Sequence, residues 1–286
     1  MSLRSSVPAP AKGLLRRGYV RLGAMTAHRR AAPDFLVVGA QRGGTTSLFR
    51  ALEQHPFVLR PSFSKGINYF DLNYDRGSDW YAGHFPLTRT ADRRRPNGES
   101  LAVFEASGYY LFHPAAPARI VQDLPSIKIV AMLREPGERA FSAWKHENAR
   151  GYDDETFEGA LRRETERTAG EVERMLADPR YQSYAHRHYS YGARSDYVPQ
   201  LRQFYDRLPA DQIHVMYSET FFEEPETEFR ALTDFLGVDH KEGIVFEQHN
   251  ARRSGAMPGP ARELLSDRFR DQAEELEALV GRRPPW

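Results

Sequence analysis

Two short stretches of this 286-residue sequence carry side chains whose types and spacing suit anion chemistry. The first is Gly39-Ala40-Gln41-Arg42-Gly43-Gly44-Thr45-Thr46, which follows an apolar run and leads into a helix-forming one. Glycines let backbone N–H groups turn inward around an anion, and a helix N-terminus adds unpaired donors and a favourable dipole. Gly39 and Gly44 have the spacing of the nucleotide-triphosphatase loop G-x-x-x-x-G-K-[ST], but Thr45 stands where the lysine belongs. That lysine reaches the β- and γ-phosphates, so its absence speaks against triphosphate chemistry, while Arg42 supplies positive charge from a different point of the loop.

The second stretch begins at Arg134, where the apolar run 127–133 ends, and reaches Ser142 two turns into the next helix. An arginine at the carboxyl end of a parallel strand sits beside the first loop, and its planar fork gives bidentate, charge-assisted bonds to phosphate. Two phosphate-grade sites imply a ligand phosphorylated at two places. Neither later apolar run ends in a magnesium-binding Asp, since one leads into Arg134 and the other into Ser218-Glu219. The ten histidines show no metal-ligand spacing, so no metal is expected.

On these residues the chain resembles the sulfotransferases that use 3′-phosphoadenosine-5′-phosphosulfate (PAPS), most closely the branch of heparan sulfate sulfotransferases and their bacterial relatives. The family's 5′-phosphosulfate loop, R/K-x-G-T-[ST] or K-G-G-T, is matched by Gln41 to Ser47. Its 3′-phosphate motif R-x-P-x-x-R-x-x-S is matched by Arg134, Pro136, Arg139 and Ser142. Similarity continues through Lys65 to Asp71, Trp80-Tyr81, Phe104 to Tyr110, Phe235-Leu236-Gly237 and the ending Gly281-Arg282 to Trp286. The resemblance implies a P-loop-like three-layer α/β fold, with a central parallel sheet flanked by helices. It also implies transfer of a sulfuryl group from PAPS, which leaves as adenosine 3′,5′-bisphosphate.

In that reading Arg42 stabilises the leaving phosphate and Gly43, Gly44, Thr45, Thr46 and Ser47 hold the phosphosulfate. Arg134 and Ser142 anchor the 3′-phosphate, and Arg252 and Arg253 fall where the family closes a basic loop over the donor. The sequence departs from the family at two catalytic places. Gly66 replaces the glutamate base of the K-E-x-x-F-F segment, and Ala106 replaces the lysine of an E-K-T-P-like segment, where Glu105 remains. Glu105 is therefore the expected general base, or else a carboxylate paired with Lys65 or Arg42 to hold the site together; His84, His113 and His146 are lesser candidates. The acceptor is expected to be a small molecule, carbohydrate or lipid bearing a hydroxyl or amine. The alternatives are a P-loop small-molecule kinase and a member of the fold that binds nucleotide without turnover.

The elements that position these residues are legible as buried runs. Phe35 to Val38, Ile127 to Leu133 and Ile213 to Tyr217 read as central strands, and Leu101 to Phe104 as a shorter one. Helical spacing is seen over Thr46 to Gln54, over Glu138 to Asn148, and at Phe229, Leu232, Phe235 and Leu236. Strands alternating with helices predict a parallel sheet covered on both faces, with ligand loops at the carboxyl ends. Residues 60–104, rich in Phe63, Tyr69, Phe70, Tyr74, Trp80, Tyr81 and Phe85, read as an aromatic insertion over an acceptor site. Residues 152–180 read as an exposed helix pair, and Leu264 to Leu279 as a terminal helix.

Composition sets the outer bounds. A net charge of +1 argues neither for nor against nucleic acid, no nucleic-acid partner is expected, and the absence of cysteine excludes disulfides, thiolate metal sites and thiol nucleophiles. Residues 1–33 read as a flexible basic arm suited to weak contact with a membrane surface, and 34–286 as one domain. With no apolar run long enough for a signal core or a membrane span, a cytoplasmic location is expected.

Overall fold

The computed structural model describes residues 18–62, 65–93, 100–248 and 255–286. Among them, five parallel strands form one sheet in the order β2-β3-β1-β4-β5. The strands are β1 (Phe35–Gly39), β2 (Val58–Leu59), β3 (Ala102–Ala106), β4 (Lys128–Leu133) and β5 (Ile213–Tyr217). Both faces of the sheet are covered, which is why these strands read as unbroken apolar runs.

Period-two alternation divides the core. Phe35 and Val37 of β1 and Phe104 of β3 pack with Leu48, Phe49 and Leu52 of helix α1 (Thr45–Gln54) on one face. The Phe104 ring stacks on Phe35 with centroids 5.3 Å apart. Leu36 and Val38 point to the other face, into a cluster built by Tyr69, Phe70, Tyr81, Phe85, Tyr110, Tyr197 and Phe204. Helix α2 (Pro136–Asn148) follows β4; its N-terminus is capped by the Glu135 carboxylate, which accepts from Gly137 N–H at 3.0 Å and from Glu138 N–H. Proline at the first position suits the helix start, where no N–H bond is needed.

Three expectations change shape. The aromatic insertion is core rather than a lining: Tyr69, Phe70, Tyr81 and Phe85 are buried, and Tyr69 stacks on Tyr81 with centroids 4.5 Å apart. Phe63 lies outside the described residues. The stretch 152–180 forms three short helices, Phe157–Arg162, Glu164–Thr168 and Glu171–Ala177, rather than an exposed pair. Asp153 and Glu164 are buried there, the first paired with Arg167 at 3.0 Å and the second accepting from Gly192 N–H and Ala193 N–H. The terminal segment is two helices, Gly259–Arg268 and Gln272–Val280, because the chain turns at 269–271.

Of residues 1–33, those from 18 onward are described. Residues 18–24 are helical; Val20 is buried, and Gly23 packs so closely on Gly83 that a Cβ would come within 2.4 Å of the Gly83 oxygen. The Arg30 guanidinium donates to Phe85 O at 2.6 Å, fixing this segment to the insertion.

Candidate functional site

The carboxyl ends of β1, β3, β4 and β5 open into one cleft of about 730 Å³. Each strand contributes: Gln41 to Thr46 after β1, Ala106 and Gly108 at and after β3, Arg134 after β4, Ser218 and Glu219 after β5. This is where loops of a parallel sheet converge on a ligand.

The loop after β1 is shaped by close packing. A Cβ on Gly43 would lie 2.5 Å from Met132 O, and one on Gly44 would lie 2.9 Å from both Met132 Cε and Ser218 Oγ. Gly44 also sits at φ 91°, where a side chain is strained, so both positions require glycine. Arg42 itself takes φ 70°, which turns its side chain toward α2, where its Nε donates to Ser142 Oγ at 3.1 Å. The two anion sites of the sequence are thus joined side chain to side chain. The first turn of α1 presents N–H groups with no intrahelical partner to the same cleft.

The charge that Thr45 does not supply arrives from elsewhere. Lys65 Nζ donates to Thr45 Oγ1 at 2.7 Å and to Thr46 Oγ1 at 3.2 Å, over the mouth of the loop. Burial without a carboxylate lowers the Lys65 pKa to about 7. Burial also lowers that of Lys145, and Arg134 and Arg42 press it further in the same direction, a sign that cations crowd this end of the sheet. Arg134 lines the cleft with its guanidinium 3.6 Å from Glu138, and its carbonyl accepts from Tyr197 OH at 2.7 Å.

Behind the loop stand two arginines with little or no solvent access. Arg139, 0% exposed, donates to Gln41 O at 3.2 Å, to Ser195 Oγ and to Tyr191 O. Arg194 donates to the Gln41 side chain and to Arg187 O at 2.7 Å. Burial lowers the pKa of Arg139 to about 10, so it stays charged and braces the loop.

Arg42, Gly44, Thr45, Thr46, Arg134 and Ser142 line the cleft together, whereas Gly43 and Ser47 are buried and do not line it. Arg252 and Arg253 lie outside the described residues. Glu105, expected as the base, does not line the cleft: it is 0% exposed, one residue out of phase with Ala106, which does. The alternation of a strand sends Glu105 to the opposite face, and its partner is Ser107, neither Lys65 nor Arg42. Desolvation raises its pKa to about 7, against the hydrogen bond from Ser107. His84 and His113 are buried, the latter with its pKa lowered by burial to about 3, while His146 lines the cleft beside Arg150.

Sequence reasoning named Lys65 as a possible partner of Glu105 and not as a ligand of the loop hydroxyls; the signal was a lysine missing from the loop and one present downstream. Gly66 beside it has φ 83°, a conformation that disfavours any side chain, which accounts for the loss of the glutamate there.

Residues 32–254 match the family model described as the sulfotransferase domain. The chain is 26% identical over 320 residues to the membrane-associated sulfotransferase kil1 of Dictyostelium discoideum, covering 89% of this chain and 66% of that protein. It is 26% identical over 285 residues to the bifunctional heparan sulfate N-deacetylase/N-sulfotransferase 3 of Homo sapiens, covering 87% of this chain and 30% of that one. The chain thus spans just under two thirds of the first relative and under a third of the second. Among solved structures, a sulfotransferase from Alicyclobacillus acidocaldarius is similar with 30% identity and a TM-score of 0.63, covering 88% of this chain and 97% of that one.

Proposed function

As the chain belongs to the sulfotransferase domain family, we propose that it moves a sulfuryl group from PAPS to a hydroxyl or amine of a small-molecule, carbohydrate or lipid acceptor. The observation that carries this reading is the joining of two cation–hydroxyl pairs in one cleft, with Arg42 bonded to Ser142 and Lys65 seated on Thr45 and Thr46. Lys65 with Thr45 and Thr46 suits a 5′-phosphosulfate, Ser142 with Arg134 suits a 3′-phosphate, and Arg42, bonded to Ser142, joins the two toward the 5′ end.

In the reaction the acceptor atom bonds to sulfur, the bond from sulfur to the 5′-phosphate oxygen breaks, and the acceptor proton is released. Negative charge grows on the leaving oxygen. Lys65, Arg42 and the N–H groups opening α1 face that charge, and preorganised donors of this kind lower the barrier without reorganising. Arg134 and Ser142 fix the far end of the donor, and positioning supplies much of the remaining rate. Arg139 and Arg194 hold Gln41 and keep the loop from relaxing around the departing product.

The lining is polar and cationic, with Phe222 as its aromatic member, so it favours an acceptor that carries polar or anionic groups over an aryl ring. No helix of the described residues is long and apolar enough to cross a membrane.

Calorimetric titration with adenosine 3′,5′-bisphosphate, and separately with ATP and magnesium, tests the donor assignment. Tight metal-independent binding of the bisphosphate, weakened about 10- to 100-fold by Arg134→Ala, is expected from the loss of charge-assisted bonds. A preference for magnesium–ATP overturns the assignment in favour of a kinase.

A further inference from the structure

The segment 65–70 carries Lys65 to the cleft, yet it has no regular structure before the one-turn helix Tyr69–Leu72. What fixes it is β3 and the turn that follows. Gly66 N–H donates to Ala106 O at 2.9 Å, and Asn68 N–H donates to Ser107 Oγ at 2.9 Å. Tyr69 N–H and Phe70 N–H donate to the Tyr110 hydroxyl oxygen at 2.7 and 3.4 Å. Each of these two hydroxyls has a proton of its own to place. The Ser107 hydroxyl donates to Glu105, while Tyr110 lies near the same carboxyl and feels its charge.

Glu105 is therefore the group on which the hydroxyl holding Asn68 rests. We propose that Glu105 is a positioning residue: through Ser107 it locks the backbone of the segment and so seats Lys65 on Thr45 and Thr46. Its importance for turnover rests on the donor reading given above; the seating itself does not. Asp71, Tyr81 and the Ile67 N–H are the other groups facing this carboxyl, and Arg187 acts on Asp71 from outside. Asp71 and Tyr81 do not line the cleft, and Ile67 belongs to the segment itself. Polar chains of this kind are cooperative, so removing the hub loosens bonds that it does not itself make.

The first readout needs no donor. In the full chain with isotope-labelled lysine, NMR titration of Lys65, assigned by its disappearance in Lys65→Met, has an expected midpoint of about 7. Ser107→Ala and Glu105→Ala move it toward the ordinary lysine range as the ammonium leaves its buried seat. Glu105→Gln, which keeps an acceptor oxygen, brings it back. The second readout is sulfation. Glu105→Ala lowers kcat by about 100-fold, the scale of a misplacement near 1 Å, and Glu105→Gln recovers most of that loss.

A Lys65 midpoint unmoved by both Ser107→Ala and Glu105→Ala overturns the proposal. So does a Glu105→Gln as inactive as the alanine variant with the Lys65 midpoint in place, which is the signature of a general base. Should Glu105→Ala not fold, Ser107→Ala, which deletes one hydroxyl, carries the test alone. A chain whose Lys65 titration depends on Ser107 but which binds no bisphosphate supports the positioning role and overturns the proposed function.

Discussion

Lys65 reaches the loop hydroxyls from 20 residues downstream of Thr45. A half-buried ammonium with no carboxylate beside it among the described residues is poorly stabilised in the free protein, and the proposed anionic donor would supply the missing countercharge. The sign follows from the direction of the shift. With a pKa of about 7 in the free protein, Lys65 is charged below pH 7 and increasingly neutral above it, while a bound anion draws the proton back. Bisphosphate affinity is therefore expected to be level below pH 7 and to fall above it by up to about ten-fold per pH unit, with proton uptake on binding. Lys65→Met should flatten this profile and lower kcat by about 100- to 1,000-fold, as removal of an oxyanion donor does. Titration calorimetry in buffers of different ionisation enthalpy measures the uptake; an unchanged slope in Lys65→Met would remove Lys65 from the site.

At the scale of elements, the helix Tyr69–Leu72 carries an uncompensated cost. Asp71 is 5% exposed, and the hydrogen bond that its carboxylate accepts at 2.6 Å comes from the adjacent Leu72 N–H. Burial, with Glu105 as a second negative neighbour, raises its pKa to about 7. A carboxyl whose folded-state pKa lies above its unfolded value binds more protons in the folded state between the two. Stability thus falls as pH rises from about 4 to 7, and the loss is complete above 7. Asp71→Asn does not titrate, so its stability advantage over the natural chain should grow through that window to a few kcal/mol. Urea midpoints at pH 5 and pH 8 check this; an equal difference at the two values would show that Asp71 is ionised throughout. The same element displays a limit of sequence reading. Its aromatic residues look like a ligand lining in composition, and only their burial against Tyr110 and Tyr81 shows them to be core.

For the molecule as a whole, charge is unevenly divided along the chain. Residues 1–33 hold seven of the 40 Lys and Arg and none of the 39 Asp and Glu. In the described part, Leu22 and Met25 stand outward at 65% and 74% exposure, and Arg21 and Arg29 are exposed beside them, while Val20 and Gly23 face the domain. An apolar stripe with basic flanks suits the surface of an anionic bilayer. Sedimentation with vesicles containing phosphatidylglycerol should carry down the chain in low salt and release it in high salt. Leu22→Glu/Met25→Glu should abolish the effect, and equal binding to neutral phosphatidylcholine would exclude an electrostatic contact.

The sequence by itself determined the sheet strands, the glycine loop, the arginine and serine after β4, and through them the proposal of a doubly anionic donor. Those features are local: a buried strand, a turn that admits only glycine and a helix start each occupy consecutive residues. Tertiary structure decided the rest. Whether Glu105 or Ala106 faces the cleft depends on which side of the sheet the 65–93 segment covers. That Lys65 lands on Thr45, and that Arg139 and Arg194 brace Gln41, depends on contacts spanning up to 153 positions. No periodicity or spacing encodes such meetings, because they are set by how the packed layers meet once the sheet is closed on both faces.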